Sequence, residues 1–523
     1  MNVKGIIKKG EYYDSVTLMM AARKLNELPG VLDSAVVMGT RENRNILAAS
    51  GLMLDIFESA ADADLIIAVK AEDESRADQA LAEVNTVLKS VRKHADSGSA
   101  PLPRNMDSAL KILPEANIAL ISVAGRYAGD VAMNALHRGL NVMLFSDNVP
   151  LEQEIALKQY AVEHDLLVMG PDCGTAIING VPLAFANVVK RGNIGIVAAA
   201  GTGLQEVSCL ISNAGAGISQ AIGTGGRDIK KEVGGLMFIE TLRRLAADMQ
   251  TKVILLVSKP PHPSVLEKIT VEMRDIRKPV IAVFLGADST ALKKYGMIPA
   301  LSLAEAASLA VSYSRGQDPK GISDSLSQQK DKLVATARLE SDRLYSTQKY
   351  IRGLFSGGTF CYEAQVLLQE YIADIYSNAP TGKSQKLKDS LHSERHTLID
   401  LGEDEFTVGR PHPMIDYSLR NKRIIEEAQN PETAVILLDI VLGFGSHPDP
   451  LSEIVPAIRR AQDIAAQNQR HLPVVCSVTG TDRDPQNRST VVCGLREIGV
   501  HVLESNAAAC LLAGFIISSR KPK

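Results

Sequence analysis

Unbroken apolar runs dominate the middle of this chain: Ile118–Ala124, Asn141–Phe145, Leu166–Met169, Ile194–Val197, Ala221–Ile222, Val253–Val257 and Val280–Phe284. Helical spacings such as Ala128–Arg138 and Glu152–His164 lie between them. Apolar strands without polar alternation, separated by helices, predict parallel sheets buried on both faces. The alternation returns at Gly353–Phe355, Thr397–Leu401, Ala434–Asp439, Pro473–Val478 and His501–Leu503, interrupted by the polar loop Thr381–Glu394. The first hundred residues read differently, as strand Lys4–Lys8, helix Ser15–Leu28, strand Ser34–Met38, short helices, strand Leu65–Lys70 and helix Ser75–Arg92. That order predicts a small ferredoxin-like α/β domain. The biased segment His94–Asn105 reads as a linker, and the polar stretch Arg315–Lys349 as a second, partly helical one. The expected organisation is α/β throughout: an N-terminal domain at 1–100, a parallel Rossmann-type domain at 101–189, a doubly wound domain at 190–315, a linker at 316–349 and a further parallel α/β domain at 350–523.

Composition narrows the function. Fifty-seven Lys and Arg against 60 Asp and Glu leave a net charge of −3 with no basic stripe, which argues against nucleic acid. The six cysteines are scattered without a CxxC pair, so reduced thiols are expected and neither a disulfide framework nor a metal motif is read. No apolar run reaches membrane-span length and no signal peptide is read at the N-terminus, so the expected address is the cytoplasm. Tryptophan is absent and aromatics make up 4% of residues, which favours small polar ligands in glycine-lined sites.

Such sites form where a parallel strand turns into a helix, because the helix N-terminus offers unpaired N–H groups and the positive end of its dipole. Two turns share one pattern: Ala200-Gly201-Thr202-Gly203 with Glu206, and Ser356-Gly357-Gly358-Thr359 with Glu363. In each, glycine admits close backbone approach, the Thr hydroxyl can cap, and the Glu lies one turn on along the Thr face. An ordinary capped helix start is the alternative. Two further glycine turns follow strands, Gly223-Thr224-Gly225-Gly226-Arg227-Asp228 and Gly443-Phe444-Gly445-Ser446-His447. Arg227 offers a fork-shaped cation for phosphate or carboxylate, or else a salt bridge to Asp228 or another carboxylate. Gly170-Pro171 reads as a structural crossover.

The stretch Arg410-Pro411-His412-Pro413-Met414-Ile415-Asp416 stands apart. Flanking prolines deny His412 a helix or a central strand, so the loop reads as one that aims a side chain. Arg410, His412 and Asp416 together would make an anion clamp with an imidazole oriented by a carboxylate; a structural histidine is the alternative. His447 is the second candidate.

These motifs resemble the FdrA family of succinyl-CoA-synthetase-like proteins over essentially the whole chain. Gly170–Thr175, Gly192–Val197, Ala200–Glu206 and Gly223–Asp228 are similar to the synthetase α subunit; Asp400, Ala434–Asp439, Gly443–Asp449 and Val478–Thr481 are similar to the carboxy-terminal part of the β subunit. The resemblance implies a CoA-binding-type Rossmann domain followed by two flavodoxin-like ligase domains, with helices near Thr202 and Gly445 aimed at one phosphoryl group and Glu206 at the histidine-orienting position. The sequence departs from that pattern. Leu285-Gly286-Ala287-Asp288 stands where such synthetases carry a phosphorylated histidine, and no histidine occurs between His262 and His392. The Rossmann domain's opening glycine loop is not evident, and no Walker-type or ATP-grasp segment is read. The family also implies phosphate-linked carbamoyl transfer, splitting oxalurate into oxamate and carbamoyl phosphate with partner subunits. Phosphate is then substrate, CoA an open alternative, and His412 the acid or base with Glu206 or Asp416 orienting it. Two rival readings are an ADP-forming acyl-CoA synthetase with a nucleotide-binding partner and a non-catalytic subunit that senses a small carboxylate.

Overall fold

The computed structural model describes residues 2–519 except 12, 14, 41, 42, 45, 46, 49, 96–102, 104 and 408–410. The chain divides into two compact units, residues 1–113 with 404–412, and 114–403 with 413–523.

In the first unit, Leu65–Ala71 forms the centre of a three-stranded antiparallel sheet between Asn2–Lys8 and Val31–Met38. Five consecutive residues of that strand, Leu65–Val69, are fully buried, because both sheet faces are covered. Helices Ser15–Asn26 and Glu74–Ala95 cover one face through Leu18, Leu25, Val84 and Leu88; Leu47, Leu52 and Phe57 cover the other. Most of the linker expected at 94–105 lies outside the described residues.

The second unit holds three sheets. Ile118–Ile121, Asn141–Leu144 and Val168–Met169 make a short parallel sheet in chain order. The next sheet runs Ile298–Pro299, Val280–Phe284, Val253–Ser258, Arg191–Ala198 and Ile218–Gly223, all parallel, and ends in the antiparallel hairpin Thr175–Ile178 and Val181–Ala184. The hairpin therefore belongs to the ligase sheet, although its residues fall within the range expected for the Rossmann domain. The third sheet is wholly parallel, in the order Gln385–Lys386, Ile375–Ser377, His396–Asp400, Tyr350–Phe355, Thr433–Val441, Val474–Thr479 and His501–Leu503. Thr433–Val441 is buried along its whole length, as its mostly apolar sequence requires, and carries one charged residue, Asp439. The expected linker forms the long helix Lys320–Asp342, which buries Leu333 and Ala337 in the core shared by the two ligase sheets. Its Glu340 lies between the His471 and His501 imidazoles, which hold the carboxyl well below the usual range. Among the described residues no helix is long and apolar enough to cross a membrane.

The short sheet joins its neighbour through buried charge. Lys158, fully buried on helix Leu151–Glu163, donates to Glu154 and to Asp228 at 2.8 Å each, and to the Thr224 carbonyl at 2.9 Å. Asp228 also accepts from the Phe238 amide at 2.7 Å, and Arg227 lies 2.8 Å from the second oxygen of Glu154. Removing one member of such a cluster strands buried charge, which costs far more than an exposed pair is worth. Lys158→Ala should lower stability by about 3–5 kcal/mol in urea unfolding, whereas loss of the exposed pair Lys320–Asp318 should not be measurable.

Candidate functional site

The two ligase sheets are copies of one plan. In each, a central strand ends in a turn and a helix starts with Gly-Thr: Arg191–Ala198 leads into Gly201–Asn213, and Tyr350–Phe355 into Gly358–Leu368. The two helix starts face each other. The Thr359 amide donates to Thr202 Oγ1 at 3.3 Å, and a Cβ on Gly357 would lie 2.9 Å from Thr202 Cγ2, so only glycine permits the approach.

The glutamates one turn further on cross between the copies. Glu206 accepts from the Asn506 amide at 3.0 Å and from the Thr479 hydroxyl. Glu363 accepts from the Leu303 amide at 2.8 Å and from the Asn506 side chain at 2.8 Å. Asn506 and Leu303 are the first residues of helices Asn506–Ser518 and Leu303–Ser314, each preceded by a serine N-cap. Each copy thus lends a carboxylate to a helix N-terminus of the other, satisfying an amide that the helix cannot satisfy itself. Burial raises the pKa of both acids, and that of Glu363 to about 7, against the hydrogen bonds that pull it down. The pattern that the sequence analysis read for substrate or imidazole contact meets a partner helix instead.

The other expected residues divide among several settings. At the turn Gly357–Thr359, Asp439 accepts from the Ser356 amide at 2.7 Å, the Ser356 hydroxyl at 2.7 Å and the Gly357 amide at 3.0 Å. The sequence analysis gave this turn to a ligand anion; a carboxylate of the chain fills it. Arg420, fully buried, backs Asp439 through a 2.7 Å bond to its carbonyl and lies against the Tyr417 ring at 4.4 Å. Arg227 pairs with Glu154 and donates to the Val149 carbonyl at 2.8 Å, beside the exposed Gly226 and the buried Gly225. Gly443, at φ 111°, and Gly445 bring their turn against Phe185 and Ala186, where the Phe444 amide donates to the Ala186 carbonyl at 2.9 Å. Ser446 Oγ is enclosed with no hydrogen-bond partner among the described residues, and His447 is buried with Nδ1 accepting from the Asp449 amide at 3.1 Å. Asp416 accepts from the Ser418 amide at 2.8 Å, a local turn ahead of helix Ser418–Gln429. Arg410 lies outside the described residues, and half-buried His412 falls in the unit that contains 404–412.

The start of helix Gly201–Asn213 differs from all of these. No side chain caps it, and the amides of Ala200, Gly201 and Thr202 meet no acceptor among the described residues. Gly201 is exposed, with nothing within 4 Å of the position a Cβ would take. The buried polar residues around these turns and joints that sequence reasoning did not single out are Asp439, Asp400, Lys158, Arg420 and Asn506. Two of them had a signal: Asp400 closes the strand His396–Asp400, and Asp439 lies near the carboxyl end of the mostly apolar strand Thr433–Val441.

Residues 354–516 match the CoA-ligase family, and residues 1–102 match a family described as AllF, heavy metal-associated domain. The uncharacterized protein YahF of Escherichia coli (strain K12) is 44% identical over 514 residues, 98% of each chain. Subunit alpha 2 of the ADP-forming succinate–CoA ligase of Archaeoglobus fulgidus is 28% identical over 187 residues, 35% of this chain and 63% of that subunit. The ADP-forming sulfoacetate-CoA ligase subunit SauD of Bilophila wadsworthia is 24% identical over 211 residues, 38% of this chain and 70% of that subunit. Heavy-metal sites are commonly built from thiolate or imidazole ligands, with thioether as a further soft donor. Residues 1–93 contain neither cysteine nor histidine, and no group of three or more His, Cys, Asp or Glu that could hold a metal ion occurs among the described residues.

Glu363 makes the crossed arrangement pH-dependent. Between its ordinary value of 4.5 and about 7 the folded chain keeps a proton that the unfolded chain has released, so stability falls as pH rises through that window and levels off above it. The slope per group is about 1.4 kcal/mol per pH unit. Urea midpoints measured from pH 5 to 8 should fall with pH, and Glu363→Gln should flatten the curve. Residual slope of the same sign belongs to Asp400, which burial also raises to about 7, and to Glu206 and Asp439, which burial raises as well.

Proposed function

We propose, because this chain belongs to one family with Escherichia coli YahF and carries a succinate–CoA-ligase-like CoA-ligase domain, that it is a subunit of a multi-subunit enzyme moving an acyl or carbamoyl group to or from phosphate. The observation that supports phosphate is the open start of helix Gly201–Asn213 at the end of a buried strand, where the amides of Ala200, Gly201 and Thr202 meet no acceptor among the described residues, with the Gly225–Arg227 turn in the next strand's loop. Such an end binds tetrahedral anions through its amides and dipole. The loop Leu285–Asp288 holds no histidine, so a phosphohistidine carrier at that place is unavailable and direct attack by phosphate is the simpler chemistry.

In the reaction we assign, a phosphate oxygen attacks the carbamoyl carbonyl of oxalurate. The bond from that carbon to the oxamate nitrogen breaks, the nitrogen takes a proton, and carbamoyl phosphate and oxamate leave. Amides aimed at the anion stabilise the charge that develops in the tetrahedral intermediate. Proton transfer is assigned to His412 on the sequence argument of its two flanking prolines, with Asp416 and Arg410 in the same loop, and Gly443–His447 is assigned a second contact with substrate.

A second reading is favoured by the match to the ADP-forming ligase subunits: formation of an acyl-CoA with a nucleotide-binding partner. The two readings separate in one assay. The chain, with proteins from neighbouring genes, is incubated with carbamoyl phosphate and oxamate, and phosphate release is followed. Release that needs both this chain and oxamate supports the transfer, and His412→Ala should then slow it roughly a hundredfold or more. CoA-dependent ATP hydrolysis without such release would overturn the transfer in favour of the ligase.

A further inference from the structure

Helix Gly358–Leu368 keeps one face half-open. Gly358, Tyr362 and Val366 follow at the i, i+4 spacing that stacks residues on one side of a helix; all three are half-buried, while 359–361 and 363–365 between them are buried. Three groups from other elements come to this face. Asp400, the last residue of strand His396–Asp400, points Oδ2 at the first turn, 2.5 Å from the position a Cβ on Gly358 would take. Lys259, just past strand Val253–Ser258 of the first ligase sheet, holds Nζ 5.1 Å from the centre of the Tyr362 ring. Gly286, in the loop after Val280–Phe284, comes against Val366, with 3.4 Å from its Cβ position to a Val366 methyl. An acid of the second copy and a cation of the first thus meet the same helix face one turn, about 5.4 Å, apart.

The fold uses neither charge. Asp400 Oδ1 accepts from the Gly402 amide at 2.9 Å, but Oδ2 accepts no hydrogen bond among the described residues, although the residue is only 4% exposed. The half-buried Lys259 ammonium makes no ion pair or hydrogen bond among the described residues. Buried charges elsewhere in the chain are answered: Asp439 has three donors at the Ser356–Gly357 turn, and Lys158 has three acceptors. An unanswered polar group costs stability, so this pair on one open face marks a place built for something other than the fold. Burial and the nearby charges of Glu403 and Asp439 raise the Asp400 carboxyl to about 7, against the Gly402 amide and Lys259, which pull it down. The Cys361 thiol on the same helix is pushed up by burial and adds no charge of its own. The proton that Asp400 keeps belongs on Oδ2, because Oδ1 is accepting from Gly402.

We propose that Lys259 and Asp400 form the site for the carboxylate of a small-acid substrate, the ammonium supplying the countercharge and Asp400 an O–H donor. This rests on the reading above that the chain acts on a small acid such as oxamate, and it names the residues that select the acid. The substrate carboxylate and Asp400 share one proton, since two carboxylates at hydrogen-bond distance cannot both ionise. Gly358 is the neighbour of Thr359, whose amide donates to Thr202 Oγ1 at 3.3 Å, so the site adjoins the helix start assigned above to phosphate.

Isothermal titration calorimetry of the full chain with oxamate, whose carboxyl is ionised throughout, reads the site at pH 6 and pH 8 without turnover. Only the protonated form of Asp400 takes the ligand, so affinity should be roughly tenfold lower at pH 8 than at pH 6. Asp400→Asn, whose amide donates at either pH, should bind oxamate and lose that difference. Lys259→Met should weaken binding at pH 6 roughly tenfold or more, and it serves alone if Asp400→Asn is unfolded by circular dichroism. Wild-type affinity in a folded Lys259→Met chain, or an undiminished pH difference in a folded Asp400→Asn chain, would overturn the proposal. Failure of oxamate, succinate and acetate alike to bind would overturn it too. If succinate or acetate binds with the expected dependence on Lys259 and pH while oxamate does not, the site stands and the assigned carbamoyl transfer falls.

Discussion

The exchange of carboxylates between the ligase copies is the constraint on which the central part of the molecule depends. A helix N-terminus leaves amides without partners, and burying one of them unpaired costs on the order of 1–3 kcal/mol. Here the first amide of Leu303–Ser314 is answered by Glu363 from the second copy, and that of Asn506–Ser518 by Glu206 from the first. Neither copy is complete in its buried polar groups alone, so the two are expected to fold as one cooperative body. Asn506 tightens the coupling, since its backbone serves Glu206 and its side chain serves Glu363.

That arrangement explains why the two Gly-Thr helix starts sit against each other. The glutamates reach across only if their helices begin at the interface, and the helices begin there only because Gly357 and Gly203 allow the two Thr-bearing turns into contact. Once in contact, the turns bury amides of the second one, which then need an acceptor from the chain. Asp439 meets that demand, with Arg420 behind it to offset its charge. The burial that raises the Asp439 pKa is thus countered by the same donors that hold it in place.

Much of the fold was legible because its signal is hydrophobic. Val253–Val257 and Val280–Phe284 are unbroken apolar runs, Thr433–Val441 is apolar except for Thr433 and Asp439, and a parallel sheet covered on both faces demands such sequences. The hairpin at 175–184 was not legible as part of the ligase sheet, since its pairing through Ile177 to Ala221 is set by tertiary contact rather than local pattern. The long helix Lys320–Asp342 read as a linker because two apolar anchors, Leu333 and Ala337, suffice when Glu340 is also held by His471 and His501.

The candidate site was less legible for a chemical reason. A glutamate one turn into a Gly-Thr helix faces the same requirement whether its partner is a substrate amide, an imidazole or the first amide of another helix: each offers an N–H to a carboxylate. Spacing records the donor's direction and not its owner, so Glu206 and Glu363 carry the pattern of ligand contact while serving helix ends. Asp439 poses the converse case. It has no motif at all, only an acid at the end of a buried strand, yet it performs in the second turn what a bound anion would do. Buried acids at strand ends of a parallel sheet are therefore better guides to which turns are already occupied than the glycines of the turns themselves, because the glycines report only that something comes close.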